Sequence, residues 1–293
     1  MNINKKLMNK KSVSIFNKSL CKAITLLFCM FLFTNCASKK ITGISYLDSS
    51  KALIESLPKL NVFKTRKSEN NPVVIFIHGG YWTEGKKGTY GFLGRNFAKR
   101  DIVTVIPDYT LSPNGNYDTM AEEVATAIKW TVENIEKYNG NPNQIFLMGH
   151  SAGGHLIALV STNPKYLENT DVIKGIVLND AAGLDMNSYL EKYPPKKEHN
   201  YDVTWTKNPK NWKDASPIYF LSEKTPPILM MTGTKTYPSI LTQNNVFVEK
   251  LNVYQPNVKI DYQTKKHIPM MSQFFFSWNG NYKKIVKFIT KNK

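Results

Sequence analysis

Short apolar runs alternate along this chain with longer stretches whose apolar residues recur every three or four positions. Residues 73–77 (Val-Val-Ile-Phe-Ile) and 102–106 (Ile-Val-Thr-Val-Ile) are compact β-branched runs, and 144–148, 173–178 and 227–231 have similar character. Runs of this kind predict strands buried on both faces, as in a parallel sheet. Residues 59–64 and 258–263 predict an early and a last strand. Between these runs, 86–99, 117–138, 239–251 and 282–290 predict helices. The second of these places Met120, Val124, Ile128, Val132 and Ile135 on one face and is stopped by Asn139-Gly140-Asn141-Pro142. Strands alternating with helices predict an α/β fold with a mostly parallel, doubly wound sheet. Two segments break the pattern. Residues 37–57 are a mixed lead-in, and 184–224, rich in Tyr, Trp, Pro and Lys, predict a small cap insertion over the sheet edge.

The N-terminus departs from globular patterning. Residues 1–22 are polar and basic, and residues 23–33 form an apolar run that ends Thr34-Asn35-Cys36. The run is short for a membrane span and fits the apolar centre of a secretory signal. The stretch resembles a bacterial lipoprotein signal, which implies a signal at 1–35, lipidation of Cys36, a folded domain over 37–293 and a place in the bacterial cell envelope with the membrane as partner through the lipid anchor. Asn35 stands where a smaller residue is usual, so an ordinary signal is the alternative.

Composition narrows the chemistry. The 293 residues carry a formal charge of +17. The lysines are scattered rather than clustered with aromatics, which argues against nucleic acid as a partner and for a solvated surface favouring anionic envelopes or substrates. Cys21, Cys29 and Cys36 are the three cysteines of the chain, so the domain after them has neither a disulfide nor a thiolate metal site. No His/carboxylate spacing suggests a metal, and no cofactor is expected.

The candidate chemistry centres on Gly149-His150-Ser151-Ala152-Gly153. A strand-like run precedes it and a helix-like run, 155–160, follows. A serine in a tight strand-to-helix turn projects its hydroxyl, and the flanking glycines admit the close backbone approach that the turn demands. A serine hydroxyl needs a base and an oxyanion site. Of the five histidines, His267 follows the last predicted strand in a loop, at the edge where ligands bind in such sheets, and is the candidate base. His155 reads as a packed residue. His78-Gly79-Gly80 ends a buried strand, so the N–H groups of Gly79, Gly80 and Ala152 are the candidate oxyanion donors. Tyr81, Trp82 and His150 are candidate substrate contacts, and Trp205 and Trp212 in the cap suggest an aromatic or sugar-linked group.

His78-Gly79-Gly80-Tyr81-Trp82, residues 107–113 (Pro-Asp-Tyr-Thr-Leu-Ser-Pro), Gly149 to Gly154 and His267 occur in an order that resembles α/β-hydrolase esterases, in the branch of hormone-sensitive-lipase-like carboxylesterases, feruloyl-esterase-like proteins and kynurenine formamidases. The resemblance covers about residues 60–292. It implies an α/β-hydrolase fold and a serine hydrolase that cleaves a small-molecule carboxylic ester through an acyl-enzyme on Ser151. An aryl formamide or peptide bond is the alternative substrate, and a catalytically weak binding lipoprotein the alternative function. One departure stands out. The family's acid follows the next-to-last strand in a G-x-x-D turn, and here that turn reads Gly233-Thr234-Lys235-Thr236. Asp180, one strand earlier, is the expected replacement; Asp185, or an acid placed elsewhere or missing, is the alternative.

Overall fold

The computed structural model describes residues 38–48, 57–65 and 69–293. Cys36 and the segment before it lie outside the described residues. The strands are β1 (Ser38–Ser45), β2 (Lys59–Thr65), β3 (Asn71–Ile77), β4 (Val103–Pro107), β5 (Gly140–His150), β6 (Ile173–Asn179), β7 (Ile228–Gly233) and β8 (Ile260–Gln263). The helices are α1 (Gly91–Ala98), α2 (Tyr117–Asn134), α3 (Ala152–Thr162), α4 (Met186–Lys192), α5 (Tyr201–Thr204), α6 (Pro209–Asp214), α7 (Pro238–Leu251), α8 (His267–Ser272) and α9 (Gly280–Lys291). Among the described residues these eight strands form one sheet in the order β1-β2-β4-β3-β5-β6-β7-β8. From β4 to β8 every pairing is parallel, while β1, β2 and β4 pair antiparallel at one edge.

The central strands split their side chains between two layers, as the period of two requires. Val73, Ile75 and Ile77 of β3 join Ile145 and Leu147 of β5 beneath α2, α3 and α7. Val74 and Phe76, with Phe146 and Met148, pack on the opposite layer against α1 and α9. Burial on both faces is why these strands read as continuous apolar runs.

Three local expectations are corrected. The lead-in contains β1, an edge strand that exposes Lys39 and Lys40 and so has no apolar alternation to read. The strand before the serine begins at Gly140 rather than Gln144, because Asn71 bonds the Asn139 carbonyl through its backbone N–H (3.0 Å) and side-chain amide (2.9 Å) and sets Gly140 opposite itself. His267 is the first residue of α8 rather than part of a loop.

Between β6 and β7 the chain forms α4, α5 and α6 with short 3-10 turns. Trp205, fully buried, meets Trp82 edge-on at 4.6 Å, stands 5.3 Å from His155 and stacks near Tyr117 at 6.0 Å. The segment is thus pinned to the sheet layer by aromatic packing.

Asn244 of α7 links the helix to the strand ends that carry the site. Its buried amide donates to the carbonyls of Ala181 (2.6 Å) and Ile240 (2.8 Å) and accepts from Thr232 (3.0 Å). Asn244→Ala leaves two of these groups unsatisfied and is expected to lower unfolding free energy by about 1–3 kcal/mol. Urea titration checks this against Asn245→Ala, an exposed neighbour expected to stay within about 0.5 kcal/mol of the parent.

Candidate active site

Ser151 sits between β5 and α3 with φ 55° and ψ −123°, a conformation non-glycine residues rarely adopt. The turn is possible because its flanks lack side chains. A Cβ on Gly149 would stand 2.4 Å from the Gly153 carbonyl oxygen, and one on Gly153 would stand 2.1 Å from that of Ile77 in β3. The elbow is pressed into the sheet edge, which fixes the direction of the serine hydroxyl.

His267 Nε2 lies 2.9 Å from Ser151 Oγ, and its Nδ1 lies 2.6 Å from Asp180 Oδ2. Asp180 follows β6 directly with φ 52° and is fully buried. Its other oxygen accepts from the Gly233 N–H at 2.8 Å, and Thr236 Oγ1 donates to Oδ2 at 2.5 Å. A carboxylate only accepts, so the proton of the His267 ring belongs on Nδ1 and the lone pair of Nε2 faces the serine. Asp185 stands apart. It accepts from the Ser188 N–H (3.1 Å) and hydroxyl (2.8 Å) as the N-cap of α4. The acid that reaches His267 therefore comes from β6, and Thr236, where the family's acid was expected, donates to it.

The His78-Gly79-Gly80 loop borders the serine. A Cβ on Gly79 would be 2.9 Å from Ser151 Cβ, and Gly80 has φ +130°. Neither glycine N–H, nor that of Ala152, finds an acceptor among the described residues. His78 lies beneath, buried and stacked on Tyr109 at 4.5 Å, with its carbonyl accepting from the Tyr109 hydroxyl at 2.9 Å. Burial lowers the His78 pKa.

Ser151 and His267 open into a cavity of about 150 Å³ that Tyr81, Trp82, Met186, Tyr201 and Tyr237 help to line. Tyr81 and Tyr237 hydrogen-bond hydroxyl to hydroxyl at 2.9 Å, a contact that pushes the Tyr81 pKa up to about 12, with partial burial adding to it. Tyr237 was missed in the sequence, although it directly follows the turn where an acid was sought. His150 is corrected: it lies outside the cavity wall, stacked on the His267 ring at 4.7 Å, and its Nε2 is 3.3 Å from the His267 carbonyl oxygen. Trp205 and Trp212 are likewise buried cap residues rather than cavity contacts. Among the described residues no cluster of three or more His, Cys, Asp or Glu could hold a metal ion.

These features define the class: an α/β-hydrolase fold carrying a serine elbow with histidine and aspartate in line. The chain belongs to the BD-FAE family, whose model matches residues 60–251. It is 30% identical over 197 residues to esterase LipC of Mycobacterium tuberculosis, covering 61% of this chain and 48% of that one. It is 34% identical over 122 residues to a kynurenine formamidase of Salmo salar, covering 41% and 40%. The chain spans about half the length, or less, of these curated relatives. Among solved structures, esterase B of Lactobacillus rhamnosis superposes with a TM-score of 0.67 at 17% identity over 95% of each chain. A Pyrobaculum calidifontis esterase gives 0.65 at 21% identity over 80% of each. At these identities the structural likeness concerns the fold.

Two buried histidines behind the site are held neutral. Burial, reinforced by the neighbouring His267, lowers the His150 pKa to about 3, and burial lowers that of His155 to about 4. His155 accepts from Trp82 Nε1 on Nδ1 (3.2 Å) and bonds the Ala215 carbonyl through Nε2 (2.7 Å), which fixes its tautomer. Both folded-state values lie below the unfolded one near 6.5, so the unfolded chain binds more protons below that pH. Stability is therefore complete above about pH 6.5 and falls as pH drops toward 4, by on the order of 2 kcal/mol for each histidine. Urea unfolding at pH 7 and at pH 4.5 measures the loss; equal stability at both would contradict the neutral assignment.

Proposed function

We propose that the protein is a serine hydrolase of carboxylic esters. The observation that carries this reading is the line from Asp180 through His267 to Ser151, with hydrogen-bond distances of 2.6 and 2.9 Å, at the wall of a cavity. In this reading the Ser151 hydroxyl passes its proton to His267 Nε2 as the oxygen attacks the acyl carbon. Asp180 orients the ring and stabilises the imidazolium. The N–H groups of Gly79, Gly80 and Ala152 receive the oxyanion. His267 then protonates the departing alcohol, and water repeats the sequence to free the acid.

The cavity next to Ser151 has a volume near that of a buried site that holds one benzene ring, which favours a short acyl group or a single ring. The relatives named as esterases support ester cleavage. The formamidase relative supports a second reading, hydrolysis of an N-formyl arylamine, which the same steps would accomplish with an amine as leaving group. We also propose, from the sequence alone, that Cys36 carries a lipid anchor in a bacterial cell envelope; loss in Cys36→Ala of the membrane association that resists a high-salt wash is the expected result.

Turnover of p-nitrophenyl acetate and butyrate is expected to depend on Ser151, with Ser151→Ala at background. Asp180→Asn should lower kcat by as much as ~10⁴, while Asp185→Asn should stay within a few-fold. No Ser151-dependent turnover of short esters, with no labelling by a fluorophosphonate, would sink the hydrolase reading. Preference for N-formylaniline over phenyl acetate would select the amide.

A further inference from the structure

The sequence scatters its lysines, but the fold brings two acid-free stretches together around exposed aromatic rings. Phe275, Phe276 and Trp278 are 55%, 54% and 79% exposed. They lie on the turn between α8 and α9, and that turn is held in place. Asn96 of α1 donates to the carbonyls of Phe274 (3.1 Å) and Phe275 (3.3 Å), and Arg100 donates to that of Ser277. The Phe92 ring of α1 lies 4.0 Å from that of Phe275, and Phe276 lies 5.1 Å from Trp278. Large rings presented to solvent on a fixed turn, rather than scattered singly, mark an interaction surface.

Positive charge predominates in the two stretches that flank them. Residues 86–100 carry five Lys or Arg and no acid, and residues 262–293 carry seven lysines and no acid. Lys87 is paired with Asp108 and Lys284 with Asp261. Arg95 on α1, Lys99 directly after it and Lys283 in the first turn of α9 are exposed on the elements that flank the turn. Glu84, Asp101 and Asp261 are the acids that border the two stretches.

We infer that this face docks on an anionic lipid bilayer. Trp and Phe favour the boundary between headgroups and acyl chains, and Lys and Arg lay their stems along it while their charges meet phosphate. Apolar insertion with several surrounding cations is the combination that gives peripheral binding to negatively charged membranes. The surface is built from the described residues alone, and the inference depends neither on Cys36 nor on the hydrolase reading.

Trp278 is the natural reporter, because Trp82, Trp205 and Trp212 are buried and Trp130 is partly covered. The full chain, unacylated, is mixed with vesicles of phosphatidylcholine alone or with added phosphatidylglycerol, the acyl chains carrying bromine to quench inserted tryptophan. Quenching is expected only on the anionic vesicles, to be absent in Trp278→Phe, and to weaken with salt. Phe276→Ser is expected to weaken binding about tenfold with an unchanged thermal melt by circular dichroism. Equal quenching of the parent and Trp278→Phe, or equal binding by the parent and Phe276→Ser, would overturn the inference. So would Trp278 quenching that ignores lipid charge, or a dimer that Trp278→Ser dissolves while Trp278 is not quenched by any vesicle.

Discussion

The buried carboxylate of Asp180 is the interaction on which the site depends. An ionised group out of contact with water is costly unless every oxygen is matched. Here the matches come from separate elements: the Gly233 N–H at the end of β7, the Thr236 hydroxyl after it, and His267 at the start of α8. Satisfying one charge therefore aligns the ends of β6 and β7 and docks α8 against them. His267 is drawn to the serine by the same requirement, so the geometry of the Ser151–His267 pair is a consequence of how the fold satisfies Asp180.

The elbow is held by the opposite kind of constraint, the absence of side chains. Gly149 and Gly153 allow the β5–α3 turn to press against the carbonyl of Ile77, and Gly79 allows the neighbouring loop to lie against Ser151. The strain in the Ser151 backbone is offset by the packing around the turn. His150 adds rigidity. It is stacked beneath His267 and kept neutral by burial, so it supports the ring from below without adding a second positive charge that would oppose an imidazolium.

Much of this was legible in the sequence because burial on both faces leaves an apolar signature. The central strands and the long helices follow directly from it. So do the serine turn and the glycine loop, where the motif residues are the ones the backbone needs. What was not legible depends on tertiary contact. β1 is polar and charged because it is an edge, so no periodicity marks it. Trp205 and Trp212 are common in binding sites and equally common in cores, and only the packing of Trp205 against Trp82 and His155 distinguishes the two. His150 belongs to the motif string, but its side chain turns away from the cavity, a direction that sequence does not encode.

Thr236 gives the departure in the acid position a physical sense. Its hydroxyl lies 2.5 Å from Asp180 and 3.4 Å from His267 Nδ1, so positions 180 and 236 address the same small space. Two carboxylates there would repel, and one would have to take up a proton. The positions are therefore alternatives: once the acid stands at the end of β6, the residue after β7 must be a donor. Threonine meets that need. It supplies a hydrogen bond to the carboxylate without competing for the histidine, and a small branched side chain packs where a second charge could not. The missing acid and the added one are then a single substitution of roles, and the reach from carboxylate to imidazole to hydroxyl is kept.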